Sequence, residues 1–146
     1  MIYSPMTRKA LQIAYKAHEK QIDKSGLPYI FHPYHVAEQM EDELTACIAI
    51  LHDVLEDTNI TKEELDAVFP AAVMEPLLLL THDPSVPYIE YIRKIKQNPI
   101  ARKVKLADIA HNMDESRLSG VEISEKQLQH WRRKYREALE ILNQSE

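Results

Sequence analysis

The sequence predicts an all-α protein built as a single-domain helical bundle, and three observations predict it. Gly26 and Gly120 are the only glycines, the eight prolines fall mostly at apparent helix starts, and alternating runs of β-branched residues are few. A chain of 146 residues can bury one continuous core, so one domain over 1–146 is expected.

The first helix opens at Ser4-Pro5, N-cap and first helical position, and carries Leu11, Ile13, Ala14, Ala17 and His18 inward to an end near Gln21. His18 reads as a core histidine bonded to backbone. Asp23 to Phe31 is a turn and an extended stretch, and Lys24 and Ser25 flank the Gly26 turn, where an ammonium and free amides could meet a phosphate. A second helix is expected from Pro33, with Val36, Ala37 and Met40 inward. His32 precedes that proline, which pushes it out of helical geometry to the N-cap, where its side chain can point across a cleft. His35 reads as packing or surface.

The third helix is central. From Leu44 to Leu51 almost every side chain is apolar, so this helix lacks a solvent face and should run through the middle of the domain. It is expected to continue to Asp57 and so to end in His52, Asp53, Glu56 and Asp57. Spacings of four (His52 with Glu56, Asp53 with Asp57) and of three (Asp53 with Glu56) set these groups in two adjacent rows. Unpaired carboxylates resist leaving water, so something positive must compensate. An imidazole beside a carboxylate suits zinc, manganese or iron, and a second carboxylate pair could handle protons. The plainer reading is a solvated helix end bridged to lysines. The sequence supplies a control in His82-Asp83, which follows Leu77-Leu78-Leu79-Leu80-Thr81 and precedes Pro84. That pair reads as a helix C-terminus with no chemistry.

Between these pairs, Thr61-Lys62-Glu63-Glu64 forms a capping box for a short helix ending near Phe69, and Pro70 and Pro76 start or interrupt a pair of helical turns. After a loop over 83–87, Tyr88, Ile89, Ile92 and Ile95 give the next helix its apolar stripe. Pro99 opens a helix that runs to about Met113, much of it buried, with Asp108 as an inward carboxylate and Lys105 as a candidate partner. Asn112, one turn on, faces the same way and could orient a hydroxyl or a phosphate oxygen. His111 between them reads equally as a helix-end imidazole or a site residue. Ser124 caps the last helix, which carries Leu128, Trp131, Tyr135, Leu139 and Leu142 at core spacing. Its basic cluster, Arg132, Arg133, Lys134 and Arg136, is expected in solvent beside Glu137 and Glu140, with Lys134 or Arg117 as alternative receivers of phosphates.

Composition narrows the class. A net charge of −5 argues against a nucleic-acid binder by bulk electrostatics. Cys47 lies in the apolar helix and reads as core, with no disulfide partner in the chain, so a reducing cytoplasm fits. No basic segment followed by an apolar stretch opens the chain, and the longest apolar runs, near 46–51 and 77–80, are too short to span a bilayer.

With His32, His52-Asp53 and Asp108 in view, the chain resembles the HD-domain metal-dependent phosphohydrolases. The closer likeness is to the hydrolase domain of the RelA/SpoT alarmone enzymes and the small stand-alone alarmone hydrolases. It covers about Ala10 to Met113 and rests on Ala17-His18 with Gln21, Gly26 to Ile30 running into His32-Pro33, Leu51 to Thr58, Leu80-Thr81, and Val104 to Asp108 with His111-Asn112-Met113. The resemblance implies that His32, His52, Asp53 and Asp108 hold one divalent ion, usually manganese, with iron, zinc, nickel or cobalt as alternatives. It implies that Glu56 and Asp57 assist the nucleophilic water and that Asn112 contacts the nucleotide. Lys24, Ser25, Lys105 and Arg117 are the further candidates for phosphate contacts. The implied reaction removes pyrophosphate from the 3′ position of guanosine tetra- or pentaphosphate. The alternatives are hydrolysis of another nucleotide phosphoester and a nucleotide-sensing module without turnover. A small phosphorylated nucleotide is thus the expected partner, with no nucleic acid or membrane and with homo-oligomerisation left open. Three positions depart from the family pattern: Asp23 and Asp114 stand where arginine is common, and Ile109 where arginine or lysine is usual.

Overall fold

In the computed structural model, which describes residues 1–144, the chain runs through α1 (Pro5–Ala17), α2 (Phe31–Glu38), α3 (Glu43–Leu51), α4 (Val54–Asp57), α5 (Lys62–Asp66), α6 (Ala71–Leu80), α7 (Tyr88–Lys96) and α8 (Pro99–Asn112). A short 3₁₀ turn, Glu115–Leu118, leads into α9 (Glu125–Asn143). Ser145 and Glu146, part of the expected domain, lie outside the described residues. Among the described residues the one extended pairing is an isolated bridge between Ile22 and Pro28, and no helix is long and apolar enough to cross a membrane.

The apolar run does what its lack of a polar face requires. Thr45 through Leu51 are all buried, and α3 is packed by α1, α2, α6 and α8. Asp42 caps it, its carboxylate accepting the Thr45 amide at 2.8 Å. Cys47 is buried with its thiol pushed up to about 12 by burial, an inert core residue. The last helix, α9, lies across α7 and α8 and buries Ala138 and Leu142.

Five boundaries differ from the sequence expectation. The first helix stops at Ala17, ahead of Gln21, and α5 stops at Asp66, ahead of Phe69. Pro70 is an N-cap, and Pro76 sits inside one continuous α6 where a pair of turns is expected. The second helix starts at Phe31, so His32 lies in its first turn instead of at the N-cap. Pro33 is tolerated in that turn because the amides of a helix's first turn have no intrahelical acceptor.

The fifth difference shapes the site. Helix α3 ends at Leu51, His52 and Asp53 form a two-residue break, and α4 begins at Val54. Asp53 has φ −106° and ψ 0°, off the helical geometry, so the ionisable quartet is not two rows on one rod. The break turns Asp53 and His52 toward α8, while Glu56 and Asp57 stand on the separate turn that follows.

Candidate active site

Three segments bring their inward polar groups to one point. His32 comes from the start of α2, His52 and Asp53 from the break after α3, and Asp108 from the buried side of α8. His32 Nε2 lies 2.8 Å from Asp108 Oδ1 and 3.8 Å from Asp53 Oδ2. His52 Nε2 lies 3.0 Å from Asp53 Oδ2 and 3.4 Å from Asp108 Oδ1. His32, His52 and Asp53 each offer one ligand atom within 4.8 Å of the others.

The hydrogen bonds around these groups test whether a cation fits. His52 Nδ1 donates to the Ala49 carbonyl at 2.6 Å, which leaves Nε2, buried and without a hydrogen-bond partner, as the ring nitrogen available to a cation. That nitrogen faces two carboxylates. Despite burial, which acts the other way, the carboxylates of Asp53 and Asp108 push His52 well above the ordinary imidazole value, so they draw a positive charge to this spot. A divalent ion in the proton's place satisfies the nitrogen and the oxygens together. His32 differs in having a partner at each ring nitrogen. Its Nδ1 is 2.7 Å from His111 Nδ1, and one of the two must donate. His32 Nε2 stands 2.8 Å from Asp108 Oδ1, and His111, pushed down to about 4 by burial and then by Arg117, is a neutral partner that can accept the Nδ1 proton when Nε2 turns to an ion. The donor set of two imidazoles and two carboxylates suits a borderline or hard divalent ion.

The carboxylates are held from behind. Burial opposes ionisation of Asp108, yet Lys105, its Nζ 2.8 Å from Oδ2, keeps it well below the usual carboxylate range. Asn112 Nδ2 donates to the other oxygen at 3.1 Å. Asp53 is brought down to about 2 against its burial, chiefly by His52, and Tyr29 donates its hydroxyl to Asp53 Oδ2 at 2.5 Å. The loop before Tyr29 sets that contact: the Asp23 carboxylate accepts from the Ser25 and Leu27 amides, Gly26 turns with φ +87°, and the Tyr29 amide pairs with the Gln21 carbonyl. His18 is buried behind Tyr29, its Nδ1 bonded to Gln21 Oε1 at 2.7 Å instead of to backbone.

A cavity of about 180 Å³ opens over these groups, lined by His32, Asp53 and Asp108, by Glu56 and Asp57, and by Lys105, Asn112 and Lys134. Asp57 is half-buried, and burial followed by the charges of Asp53 and Glu56 pushes its carboxyl up to about 6. Glu56 Oε1 accepts the His82 amide at 2.7 Å. The second His-Asp pair therefore touches the site through its backbone, and its ring bonds the Val86 carbonyl at 2.7 Å and not the last carbonyls of α6.

Of the phosphate candidates, Lys105 and Asn112 line the cavity, whereas Lys24, Ser25 and Arg117 do not. The Lys24 ammonium stands 4.1 Å from the centre of the Trp131 ring. Ser25 is bonded to Asp23 through both amide and hydroxyl. Arg117 donates to the His111 carbonyl and pairs with Asp23 at 3.2 Å. The departures from the family pattern are accounted for by the same contacts. Asp23 is neutralised by Arg117, Asp114 caps the 3₁₀ turn through Ser116, and Ile109 is buried in the core. Sequence reasoning missed Tyr29 and the cavity wall of Tyr88, Tyr91 and Tyr135. Tyr29 had a signal, since it lies in a motif the resemblance quotes; the wall had none beyond apolar periodicity.

No family model matches the chain. Among curated proteins it is 47% identical over 72 residues to the guanosine-3′,5′-bis(diphosphate) 3′-pyrophosphohydrolase of Vibrio cholerae, covering 47% of this chain and 10% of that protein. It is 39% identical over 106 residues to the zebrafish (Danio rerio) protein of the same activity name, covering 65% of this chain and 59% of that one. The chain thus spans less than two thirds of the length of these relatives. A solved structure described as a metazoan ortholog of SpoT that hydrolyses ppGpp superposes with a TM-score of 0.80 at 24% identity, covering 98% of this chain and 88% of that one, and shows the same all-helical fold.

Proposed function

We propose that this chain, an HD-domain homologue of the guanosine-3′,5′-bis(diphosphate) 3′-pyrophosphohydrolases, is itself a metal-dependent phosphohydrolase that releases pyrophosphate from the 3′ position of a guanosine bis(diphosphate). The single observation that carries the reading is the buried, unpartnered Nε2 of His52 facing Asp53 and Asp108 beside His32, behind a cavity that His32, Asp53 and Asp108 line together with Glu56 and Asp57. His32, His52, Asp53 and Asp108 would hold one divalent ion, with manganese as the proposed species. Such an ion, when bound, supplies Lewis-acid polarisation of a phosphoryl oxygen and lowers the pKa of water.

The chain's own residues supply the rest. Asp57, with an affinity for protons raised to about 6, accepts the proton of the attacking water near neutral pH. Glu56 beside it is oriented by the His82 amide and accepts a further hydrogen bond from the water. The water oxygen bonds to the phosphorus that carries the 3′-oxygen, the bond between those two atoms breaks, pyrophosphate departs, and the proton taken by Asp57 returns to the 3′-oxygen. Lys105 keeps Asp108 ionised, and Asn112, anchored on Asp108, offers its amide oxygen to a hydroxyl of the substrate.

Incubation of manganese-loaded protein with guanosine tetraphosphate should yield pyrophosphate and guanosine 5′-diphosphate. A second reading is favoured by the Asp23–Arg117 pair, which leaves the first loop without a guanidinium to stack on a base. On that reading the same site cleaves another nucleotide, and orthophosphate from a nucleoside monophosphate, with the tetraphosphate intact, would establish it. Intact substrate throughout the screen would leave a sensor.

A further inference from the structure

The cavity over the candidate metal centre, at about 180 Å³, is too small for a whole nucleoside tetraphosphate, so most of the substrate must lie in a neighbouring hollow. Three hollows share walls with the cavity. The one behind Asn112 and Tyr135 has about 30 Å³ and admits no phosphate. The one behind His82 and Tyr91 has about 250 Å³, with Lys94 and Asp83 as its oppositely charged residues. The third, about 450 Å³, shares His82, Tyr88 and Lys134 with the cavity and is bordered further out by His130, Arg133 and Glu137.

Lys134 sets the third hollow apart. Among the described residues its ammonium makes no ion pair, whereas Lys105, the other cavity lysine, is committed to Asp108. It is half-buried on the face of Tyr88, 4.6 Å from the ring centre, and 5.6 Å from that of Tyr135. Burial and the nearby Lys105 lower its pKa, so an anion arriving here relieves both effects. Arg133, the next residue on α9, adds a second cation on the outer side.

We propose that this groove is the subsite for the substrate's non-scissile 5′-diphosphate, with Lys134 at the shared wall and Arg133 at the outer edge as its specificity-determining cations. The inference rests on the proposed pyrophosphohydrolase reading. Lys134 bonds the phosphate nearer the nucleoside and Arg133 the terminal one, so the 3′-diphosphate is left to enter the cavity.

Two measurements test it. Guanosine 5′-diphosphate, which carries the proposed subsite's ligand and no 3′ group, is titrated calorimetrically into manganese-loaded protein; Lys134→Met and Arg133→Met should each weaken its binding about tenfold or more, with Lys134→Arg retaining most of it. In turnover, the preference of the wild type for a 3′-diphosphate substrate bearing a 5′-diphosphate over one with a free 5′-hydroxyl should collapse toward unity in Lys134→Met, through KM and not kcat. Wild-type binding of guanosine 5′-diphosphate by both methionine variants overturns the inference and leaves the hydrolase reading standing. Weakened binding in the variants of a protein that turns over no bis(diphosphate) sustains the subsite and removes the hydrolase reading. Arg133 is exposed, so its variant gives an answer even if Lys134→Met fails to fold.

Discussion

At the scale of single residues, the site is made by protons held in place. With an ion on His32 Nε2, the proton of His32 would sit on Nδ1 and His111, 2.7 Å away, would accept it, a support that commonly changes metal affinity by 10–100-fold when removed. His111→Phe should therefore bind manganese about 10–100-fold more weakly by equilibrium dialysis, and His111→Gln, which can accept from the same nitrogen, should recover part of the loss. Asp57 makes a pH prediction. Its folded pKa, near 6, lies above its unfolded value near 3.8, so its ionised form penalises the fold fully above pH 6 and not at all below about pH 4. Metal-free Asp57→Asn should melt higher than the parent at pH 8, and the gap should close between pH 6 and pH 4. Hydrolysis by the parent should fall as pH drops through about 6, where Asp57 takes up its proton. His52-Asp53 and Glu56-Asp57 were legible because they are adjacent or one turn apart. The contacts of His111, left open as a site residue, and of Tyr29 were not, because they close over 79 and 24 residues.

At the scale of elements, α3 and α8 do most of the positioning. Helix α3 was readable from its unbroken apolar run, and its burial on every side makes large-to-small changes expensive: Ile50→Ala should lower stability by about 2–5 kcal/mol in urea unfolding. Helix α8 carries Lys105, Asp108 and Asn112, and its start is fixed by Asn98, whose side chain accepts the Ile100 and Ala101 amides at 3.0 Å. Asn98→Ala should cost about 1 kcal/mol in the same assay. The break at His52-Asp53 was invisible in the sequence, since neither residue is a helix breaker. It arises where buried polar groups turn to meet α8, so tertiary pairing overrides local propensity. The displacement of His32 into the first turn of α2 has the same character: proline biased the reading toward an N-cap, and packing placed it two positions later.

At the scale of the whole molecule, the bundle closes its core around α3 and leaves three polar segments converging on one buried spot. All-helical architecture was plain from glycine, proline and periodicity, whereas the choice between Lys134 and Arg117 as receivers of phosphate was open, because Lys134 reaches the cavity wall from α9 only once that helix lies across α7 and α8. If the cluster holds an ion only in the folded chain, that ion must add stability. Manganese at about 100 times its dissociation constant should stabilise the fold by about 2.7 kcal/mol, seen as a higher melting temperature that chelator reverses. The most direct test is the metal content of wild type, His52→Ala and His52→Gln after dialysis against manganese and then metal-free buffer. Convergence of His32, His52, Asp53 and Asp108 on one cation predicts about one equivalent per chain in the wild type and almost none in either folded variant. A full equivalent retained after loss of the His52 imidazole would contradict it.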